Sequence, residues 1–265
     1  MSVLDHRTVV ITRSEENSDE IQRALEAFGA SVLSVPTIRH AGVESTEALE
    51  KALREKSSYS HLVFTSPQAV HYFFCASSKR GAPASAWQTL RVAGVGPRTA
   101  AALEEAGIHP HWVSEGKGGK ALARELLEKE RLGPGSRVLL PQSMIAGPEL
   151  RDLLEAAGVA VDAVAVYDTL PERPEKLEPF FQALEEGRAL DAILFTSPST
   201  LRSFLELGGK RGDAALRQGI RIVSIGPTTS NAVRSEGLKV AAEAKSPSVE
   251  GLVEAVAEAL SVAGS

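Results

Sequence analysis

Two short polar turns in this sequence could bind an anion. Thr65-Ser66-Pro67 and Thr196-Ser197-Pro198 each follow strand-forming residues and precede a helical pattern. Proline suits the first helical position because its missing N–H has no partner there, and the preceding serine can cap exposed amides. The remaining free N–H groups and the helix dipole favour negative charge. Each turn is therefore a candidate site for a carboxylate.

Three further pairs of turns have the same strand-to-helix context. In open parallel sheets ligands bind outside the carboxyl ends of the strands, where such turns gather. Ser-Pro and Gly-Pro helix starts are also common in α/β proteins without any ligand, so a purely structural interpretation competes for each turn. The pairs are "ITRSEE" with "LPQSMI", "VGPRTAAAL" with "IGPTTSNAV", and "VSEGKGGKAL" with "AKSPSVEGL".

Other kinds of chemistry have weaker support. "GKGGK", residues 116–120, lacks the spacing of a phosphate loop, and "AGVGPRTA" has only G-x-G of the dinucleotide fingerprint, so a nucleotide-dependent enzyme is disfavoured. His109 and His111 have no carboxylate or cysteine close by, so a metal site is not expected. Cys75 lies in an aromatic stretch, which favours a buried packing role over a nucleophile.

Tyr167 follows the strand pattern "AVDAVAV" and precedes an extended segment that contains prolines. A tyrosine in this context usually packs its ring and keeps a polar tip. Its phenol can instead donate a proton or a hydrogen bond to a ligand. The residues alone leave both interpretations open.

Composition limits the class of protein. The 265 residues are 43% hydrophobic and 24% charged, as in ordinary soluble globular proteins. The net charge of −5 argues against a nucleic-acid or anionic-membrane binder. A single cysteine excludes an intramolecular disulfide, and neither a signal peptide nor a membrane-spanning apolar run is visible. A soluble cytoplasmic protein is expected.

Strand and helix patterns alternate along most of the chain. "TVVIT" leads into the helical pattern "SDEIQRALEAFG", which ends at Gly29, and "SVLSV" follows. "RVLLP", "GPELRDLLEAAG" and "AVDAVAVY" repeat this order later. Strand–helix–strand units of this length predict parallel strands with right-handed crossovers, and hence helices layered on sheets.

Similar residues recur about half a chain apart. Blocks that match in the same order at nearly one spacing predict an internal duplication, and hence two similar domains. The matched pairs include Gly29 with Gly158, Phe64 with Phe195, and Gly107 with Gly237, at offsets of 129, 131 and 130.

The repeat does not by itself fix the domain boundary. One simple cut falls in the Gly/Pro turn of residues 130–137. Alternatively, "PTIRHAGVE" and "AVYDTLPERPEK" are two connectors, because both run through prolines at matching positions of the repeat. In that case the chain leaves the first domain near Pro36 and returns near Tyr167.

Together, these motifs resemble the uroporphyrinogen-III synthase family across nearly the whole chain. The resemblance implies an α/β fold with two flavodoxin-like (Rossmann-like) parallel-sheet domains from an internal duplication. A two-stranded linker at about 36–42 and 164–170 would join them, with the active site in the cleft. It also implies one domain of residues 1–37 and 168–265 and another of residues 38–167. The motifs are "VVITRS", "FTSPQAV", "VGPRTAAALEEAG", "VAVYDT", "LFTSPSTLRSF" and "IGPTTSNAV".

The implied activity is that of a hydro-lyase in haem biosynthesis. It closes hydroxymethylbilane, a linear tetrapyrrole, to uroporphyrinogen III, with inversion of ring D and loss of water. The resemblance implies no metal, nucleotide or organic cofactor. The expected partner is this small-molecule substrate, with no nucleic acid and no membrane, and a monomer is expected. Direct transfer of the substrate from the preceding enzyme is left open.

The resemblance also implies site residues. Tyr167 matches the family's linker tyrosine, which would assist the leaving hydroxyl as a hydrogen-bond donor. Arg13 matches an arginine at the end of an early strand, and Lys117 adds positive charge on the basis of position alone. The hydroxyl residues of the paired turns would bind substrate: Thr65, Ser66, Thr99, Thr196, Ser197 and Thr229.

Gln142 is a departure from the family pattern. Members often have an arginine there, so no site role is assigned to Gln142, and compensation by another basic residue is left open.

The alternative function is a non-catalytic two-domain module that binds a small polyanionic ligand. Such a module would explain the two connectors, acting as a hinge, and the polar turns equally well.

Overall fold

The computed structural model describes residues 3–15, 18–43, 47–116 and 118–261. The chain divides into two compact units. The first unit combines Met1–Arg39 with Leu170–Ser265, and the second is His40–Thr169. The correspondence of these two units to the two predicted domains stays a prediction.

Apart from two strands in direct succession, Ser31–Ser34 and Ile38–Gly42, strands and helices alternate along the described residues, as the sequence predicts. They are β1 (Thr8–Ile11), α1 (Asp19–Ala27), β2 (Ser31–Ser34), β3 (Ile38–Gly42), α2 (Glu47–Arg54), β4 (His61–Phe64), α3 (Pro67–Ser78), β5 (Arg91–Val95), α4 (Gly96–Glu105), β6 (Trp112–Ser114), α5 (Gly119–Glu128), β7 (Arg137–Ser143), α6 (Glu149–Ala156), β8 (Ala160–Pro171), α7 (Glu178–Glu185), β9 (Ala192–Phe195), α8 (Pro198–Arg217), β10 (Arg221–Ser224), α9 (Pro227–Ser235), β11 (Val240–Glu243) and α10 (Val249–Ser261).

The first unit contains a parallel sheet in the order β11-β10-β9-β1-β2. Side chains alternate between the two faces of each strand. Val9 and Ile11 accordingly pack in one core cluster with α1 and α10, whereas Val10 packs in another with α7 and α8. Helices therefore cover both faces, as is typical of a doubly wound sheet.

The second unit contains a sheet in the order β3-β8-β7-β4-β5-β6. The strands from β4 to β8 pair in parallel. This sheet has the same spatial pattern as the first when β7 and β8 take the places of β1 and β2. The first unit has the flavodoxin-like order 2-1-3-4-5, and β4 to β8 of the second unit have the same spatial order in circularly permuted form. The predicted fold class is confirmed.

Paired glycines explain part of the sequence repeat. Gly29 and Gly158 end the equivalent helices α1 and α6 with φ of 89° and 81°, in the left-handed region that favours glycine. In both turns the residue after the glycine donates its N–H to a leucine carbonyl, that of Leu25 or Leu154. This is a common glycine-terminated helix end, so the repeat preserves a backbone requirement.

Two predictions about single residues are wrong. Cys75 is exposed, because it lies two residues beyond the buried Phe73 and therefore on the far side of α3. His109 does have a neighbouring carboxylate, since its Nδ1 lies 2.6 Å from Glu104 Oε1 on the surface. In the described part of the chain, no group of three His, Cys, Asp or Glu residues could hold a metal ion. None of the described helices could span a membrane.

Candidate active site

A cavity of about 520 Å³ lies in the second unit, at the carboxyl ends of its strands. The lining residues come from the end of β7, from β8 and from the first turns of α3, α5 and α6 or the segments just before them. They include Thr65, Ser66, Gly119, Lys120, Gln142, Ser143, Glu149, Tyr167 and Thr169.

Strand pairing explains why the cavity opens here. β4 pairs with β7 only at His61↔Val138 and Leu62↔Leu139, although β4 continues beside β5 up to Phe64. The two strands therefore separate before their carboxyl ends. This is also the point where the strand order reverses, and such switch points are where open α/β sheets bind ligands.

The electrostatics of the cavity favour an anion. Helix α3 begins at Pro67 after Ser66, whose Oγ accepts the N–H of Ala69 at 3.1 Å. The first turns of α5 and α6 line the same cavity, and helix N-termini favour negative charge. Lys120 is the only cationic side chain among the described lining residues, and Glu149 is the only carboxylate.

The segment that leads into α5 is held by Glu125. Its carboxylate accepts hydrogen bonds from Trp112 Nε1 at 2.8 Å and from the N–H of Gly116 at 3.3 Å. Partial burial alone would raise the pKa of Glu125, but hydrogen bonds from Trp112, Ser114 and Gly116 outweigh it and lower that pKa. The anchored segment ends at Gly118, which has a φ of 82° and directly precedes α5.

Tyr167 lies on the cavity wall with its side chain largely buried. Its hydroxyl is 3.2 Å from Ser66 Oγ. The register between β7 and β8 shifts here, so that Ser143 pairs with Tyr167 while Gln142 pairs with Ala165. Such β-bulges redirect side chains and are common beside active sites.

Three of the predicted site residues meet at this cavity: Thr65, Ser66 and Tyr167. In the first unit the equivalent position is between β1 and β9. Arg13 follows β1, while Thr196 and Ser197 follow the neighbouring strand β9. Ser197 caps α8 by accepting the N–H of Thr200 at 3.2 Å.

Two of the predicted hydroxyl residues are absent from the wall of this cavity. The side chains of Thr99 and Thr229 are buried in the first turns of α4 and α9. A Cβ added to Gly94 would lie 3.1 Å from Thr99 Cγ2, so this threonine packs closely on β5. Ligand binding by these two residues stays a prediction. Lys117 lies outside the described residues.

Four residues of this cavity were not assigned a site role from the sequence. Lys120 belongs to "GKGGK", which has the wrong spacing for a phosphate loop but still places a cation at a helix start. Gln142 lines the cavity although no role was assigned to it. Ser143 and Thr169 lie in the quoted segments "LPQSMI" and "VAVYDT", but the sequence does not show that β7 and β8 are neighbours, and this pairing brings both segments to one wall.

Known proteins resemble the chain over most of its length. The family model of uroporphyrinogen-III synthase (HemD) matches residues 19–254. A uroporphyrinogen-III synthase from Chlorobaculum parvum is 30% identical over 258 residues, with 96% of this chain and 99% of that protein covered. A chloroplastic one from Oryza sativa subsp. japonica is 29% identical, with coverage of 97% and 82%. A porphyrin biosynthesis protein HemD from Ruminiclostridium josui is 26% identical, and the match spans 48% of its length.

Solved structures share the fold. The uroporphyrinogen-III synthetase of Helicobacter pylori gives a TM-score of 0.62 at 18% identity, covering 94% of this chain and 97% of the other. A mutant uroporphyrinogen III synthase of Thermus thermophilus gives a TM-score of 0.58 at 21% identity, with coverage of 97% and 99%. The match of the family model over most of the sequence shows that this chain belongs to the uroporphyrinogen-III synthase family.

Proposed function

We propose that this protein is a hydro-lyase that closes hydroxymethylbilane to uroporphyrinogen III, with inversion of ring D and loss of water. The observation that supports this most is the position of the Tyr167 hydroxyl. It lies at a cavity that is lined by the first turns of α5 and α6 and by the residues just before α3, and these helix starts favour anions, in a chain of this family. The substrate carries carboxylates on all four rings, which suits such a cavity.

The reaction is mainly a task of positioning. Departure of the terminal hydroxyl of the substrate leaves an azafulvene, which the electron-rich pyrroles stabilise. The free substrate tends to close without inversion, through the unsubstituted carbon of ring D. The enzyme must therefore hold the substrate in a bend in which the ring D carbon that already carries the rest of the molecule attacks first. The resulting spiro intermediate then rearranges to the inverted ring. Fixed geometry of this kind can supply a large part of a rate enhancement.

Tyr167 is the proposed hydrogen-bond donor to the departing hydroxyl. While the phenol O–H donates to the substrate, the Ser66 O–H can donate to the phenol oxygen, 3.2 Å away. That hydrogen bond would stabilise the negative charge that develops on the phenol oxygen. Ser66 remains available for this because its cap bond with Ala69 uses it only as an acceptor.

Carboxylate binding is assigned to the polar turns. In the second unit, the hydroxyls of Thr65 and Ser66 before α3, the first turns of α5 and α6, and the ammonium group of Lys120 supply donors and positive charge. In the first unit, Arg13 and the turn of Thr196 and Ser197 would bind carboxylates in the same way. Arg13 has an always-charged guanidinium group that suits a carboxylate.

The isomer of the product tests the proposal. Purified protein given hydroxymethylbilane should yield uroporphyrinogen of type III, while a sample without protein yields type I. Type I alone in both samples would refute the synthase function. Binding of the substrate with no turnover would instead support the polyanion-binding module.

A variant tests the donor. Tyr167→Phe should lower kcat about tenfold or more, because the O–H that assists the leaving group is lost. The melting temperature should stay close to that of the wild type. An unchanged rate would remove Tyr167 from the mechanism without touching the identity of the product.

A further inference from the structure

Tyr167 is stacked on a second tyrosine that does not line the cavity. The ring of Tyr72, on α3, lies with its centroid 5.5 Å from that of Tyr167 and its plane inclined by 17°. Offset stacking at this distance is a favourable arrangement of two aromatic rings. Tyr72 is absent from the cavity wall, so an effect of Tyr72 on a ligand there would be indirect, and Tyr167 is the lining residue on which its ring is stacked.

Tyr72 is itself held by β3. Its hydroxyl donates a hydrogen bond to the backbone carbonyl of His40 at 2.9 Å. Gly42, two residues further along β3, leaves room for the ring, since a Cβ there would lie 3.2 Å from Tyr72 Cδ1. The position of the stacking ring is therefore defined by backbone on one side and by Tyr167 on the other.

Tyr167 has a further aromatic neighbour. The ring of His40 meets Tyr167 edge-on, at 5.5 Å between centroids and 83° between planes. His40 Nδ1 lies 3.3 Å from Thr169 Oγ1, which fixes this imidazole from the other side. Together with Ser66 at the hydroxyl, these contacts restrict both the plane of the Tyr167 ring and the direction of its O–H bond.

We propose that Tyr72 is a positioning residue that holds the phenol of Tyr167 at the angle required for hydrogen-bond donation. The inference rests on the proposed function in one respect, that Tyr167 is the donor. The efficiency of a donor depends on geometry within a few tenths of an ångström and on supporting residues with fixed rotamers. The face of the Tyr72 ring supports the ring of Tyr167, and the hydrogen bond to the His40 carbonyl on β3 holds Tyr72 in place.

The ring and the hydroxyl of Tyr72 can be tested separately. Tyr72→Leu removes the stack, and kcat should fall about three- to tenfold, as expected for loss of one aromatic pair. KM should change less than about twofold, because Tyr72 does not line the cavity. Tyr72→Phe keeps the stack and should retain most of kcat. Gly42→Ala should lower kcat in the same direction as Tyr72→Leu, since the added methyl group displaces the ring.

A matched control separates positioning from stability. Phe74 lies on the same helix and packs on Phe64 and Phe73 rather than on Tyr167. Phe74→Leu should lower the melting temperature at least as much as Tyr72→Leu does, with kcat within about twofold of the wild type. Equal losses of kcat in the two variants would overturn the proposal.

A double variant tests whether Tyr72 acts through Tyr167. In a Tyr167→Phe background the donor is already missing, so Tyr72→Leu should cause no further loss of kcat. A further three- to tenfold loss would show that Tyr72 acts by another route, and the proposal would be wrong.

A readout without substrate separates this proposal from the proposed function. The chain has only three tyrosines, so tyrosine labelled only at the ring carbon that bears the hydroxyl gives three NMR signals, which single Tyr→Phe variants assign. Tyr72→Leu should shift the Tyr167 signal, because a stacked ring current is lost, and Phe74→Leu should not. An unmoved Tyr167 signal refutes the positioning. A protein that makes no type III isomer refutes the proposed function, while the signals still decide whether Tyr72 orients Tyr167.

Discussion

The Tyr167 hydroxyl lies 3.2 Å from Ser66 Oγ, the same atom that caps α3 by accepting the N–H of Ala69. One serine thus joins the start of a helix to the candidate donor on β8. The helix and the donor cannot move independently while both contacts persist. The cap therefore has a stability consequence and a catalytic one, and the two can be measured separately.

Ser66→Ala should lower the free energy of unfolding by about 1 kcal/mol through the lost cap. Turnover should fall as well, because Tyr167 loses its partner. Ser248 is a suitable control, since its Oγ accepts the N–H of Gly251 at 3.1 Å at the start of α10. Ser248→Ala should show a similar loss of stability in urea titrations and an unchanged kcat. Full activity of Ser66→Ala would contradict the coupling.

Lys120→Ala should raise KM for hydroxymethylbilane several-fold with a smaller effect on kcat, because it removes the cation of the cavity wall. The control is Arg124→Ala, which makes the same charge change one turn later on α5, at an exposed residue that does not line the cavity. Steady-state kinetics at two salt concentrations distinguish them. Equal effects of both variants would indicate general charge attraction rather than a contact of Lys120.

Acid should destabilise the second unit through His61. This side chain is buried at the start of β4, and its Nε2 has no hydrogen-bond partner. Burial lowers the pKa of His61 below its ordinary value of 6.5, with Glu130 opposing and Arg91 adding to the effect. The unfolded chain therefore binds the proton first. The stability associated with neutral His61 is complete above pH 6.5 and is lost as the pH falls from there toward the lowered pKa.

The measurement for His61 is the free energy of unfolding between pH 5 and pH 8. In His61→Leu the decline below about pH 6.5 should be smaller than in the wild type. An equal slope in wild type and His61→Leu would rule out His61 as the titrating group.

Arg137 organises the amino-terminal end of β7. Its guanidinium group donates to Asp162 at 2.8 Å and to Glu55 at 2.7 Å, and it lies over the ring of Tyr59 at 4.6 Å. Burial raises the pKa of Tyr59, and the hydrogen bond that Tyr59 donates to Asp162 raises it further, so the phenol stays neutral at physiological pH. The planar guanidinium group can donate to Asp162 and Glu55 and stack on the ring of Tyr59 at the same time.

Arg137→Lys should lower the free energy of unfolding by about 1–2 kcal/mol, because an ammonium group cannot replace the planar fork. Arg151→Lys is the comparison on the surface, where the pair with Asp152 at 3.2 Å is largely exposed. That change should cost less than about 0.5 kcal/mol. Urea unfolding of both variants measures the two losses in the free energy of unfolding. Similar losses would show that the contacts of Arg137 contribute no more than a surface ion pair.

Much of the secondary structure of this protein can be predicted from local sequence patterns. The alternation of strands and helices depends on short-range patterns, and so do the serine caps before Pro67 and Pro198. The glycines after α1 and α6 recur because both helix ends need a left-handed residue. These features involve neighbours within one or two turns of chain, so the duplication and the family pattern can be recognised without coordinates.

The candidate site depends on contacts between distant parts of the chain. Tyr72 stacks on Tyr167 although 95 residues separate them in the sequence. Lys120 reaches the same wall only because β6 and β7 occupy their places in the sheet. The burial of Thr99 and the exposure of Cys75 follow from which side of each helix faces a strand. The sequence by itself determined the kinds of element and their capping chemistry, whereas strand order and packing decided which side chains meet, because those contacts join residues that no local pattern relates.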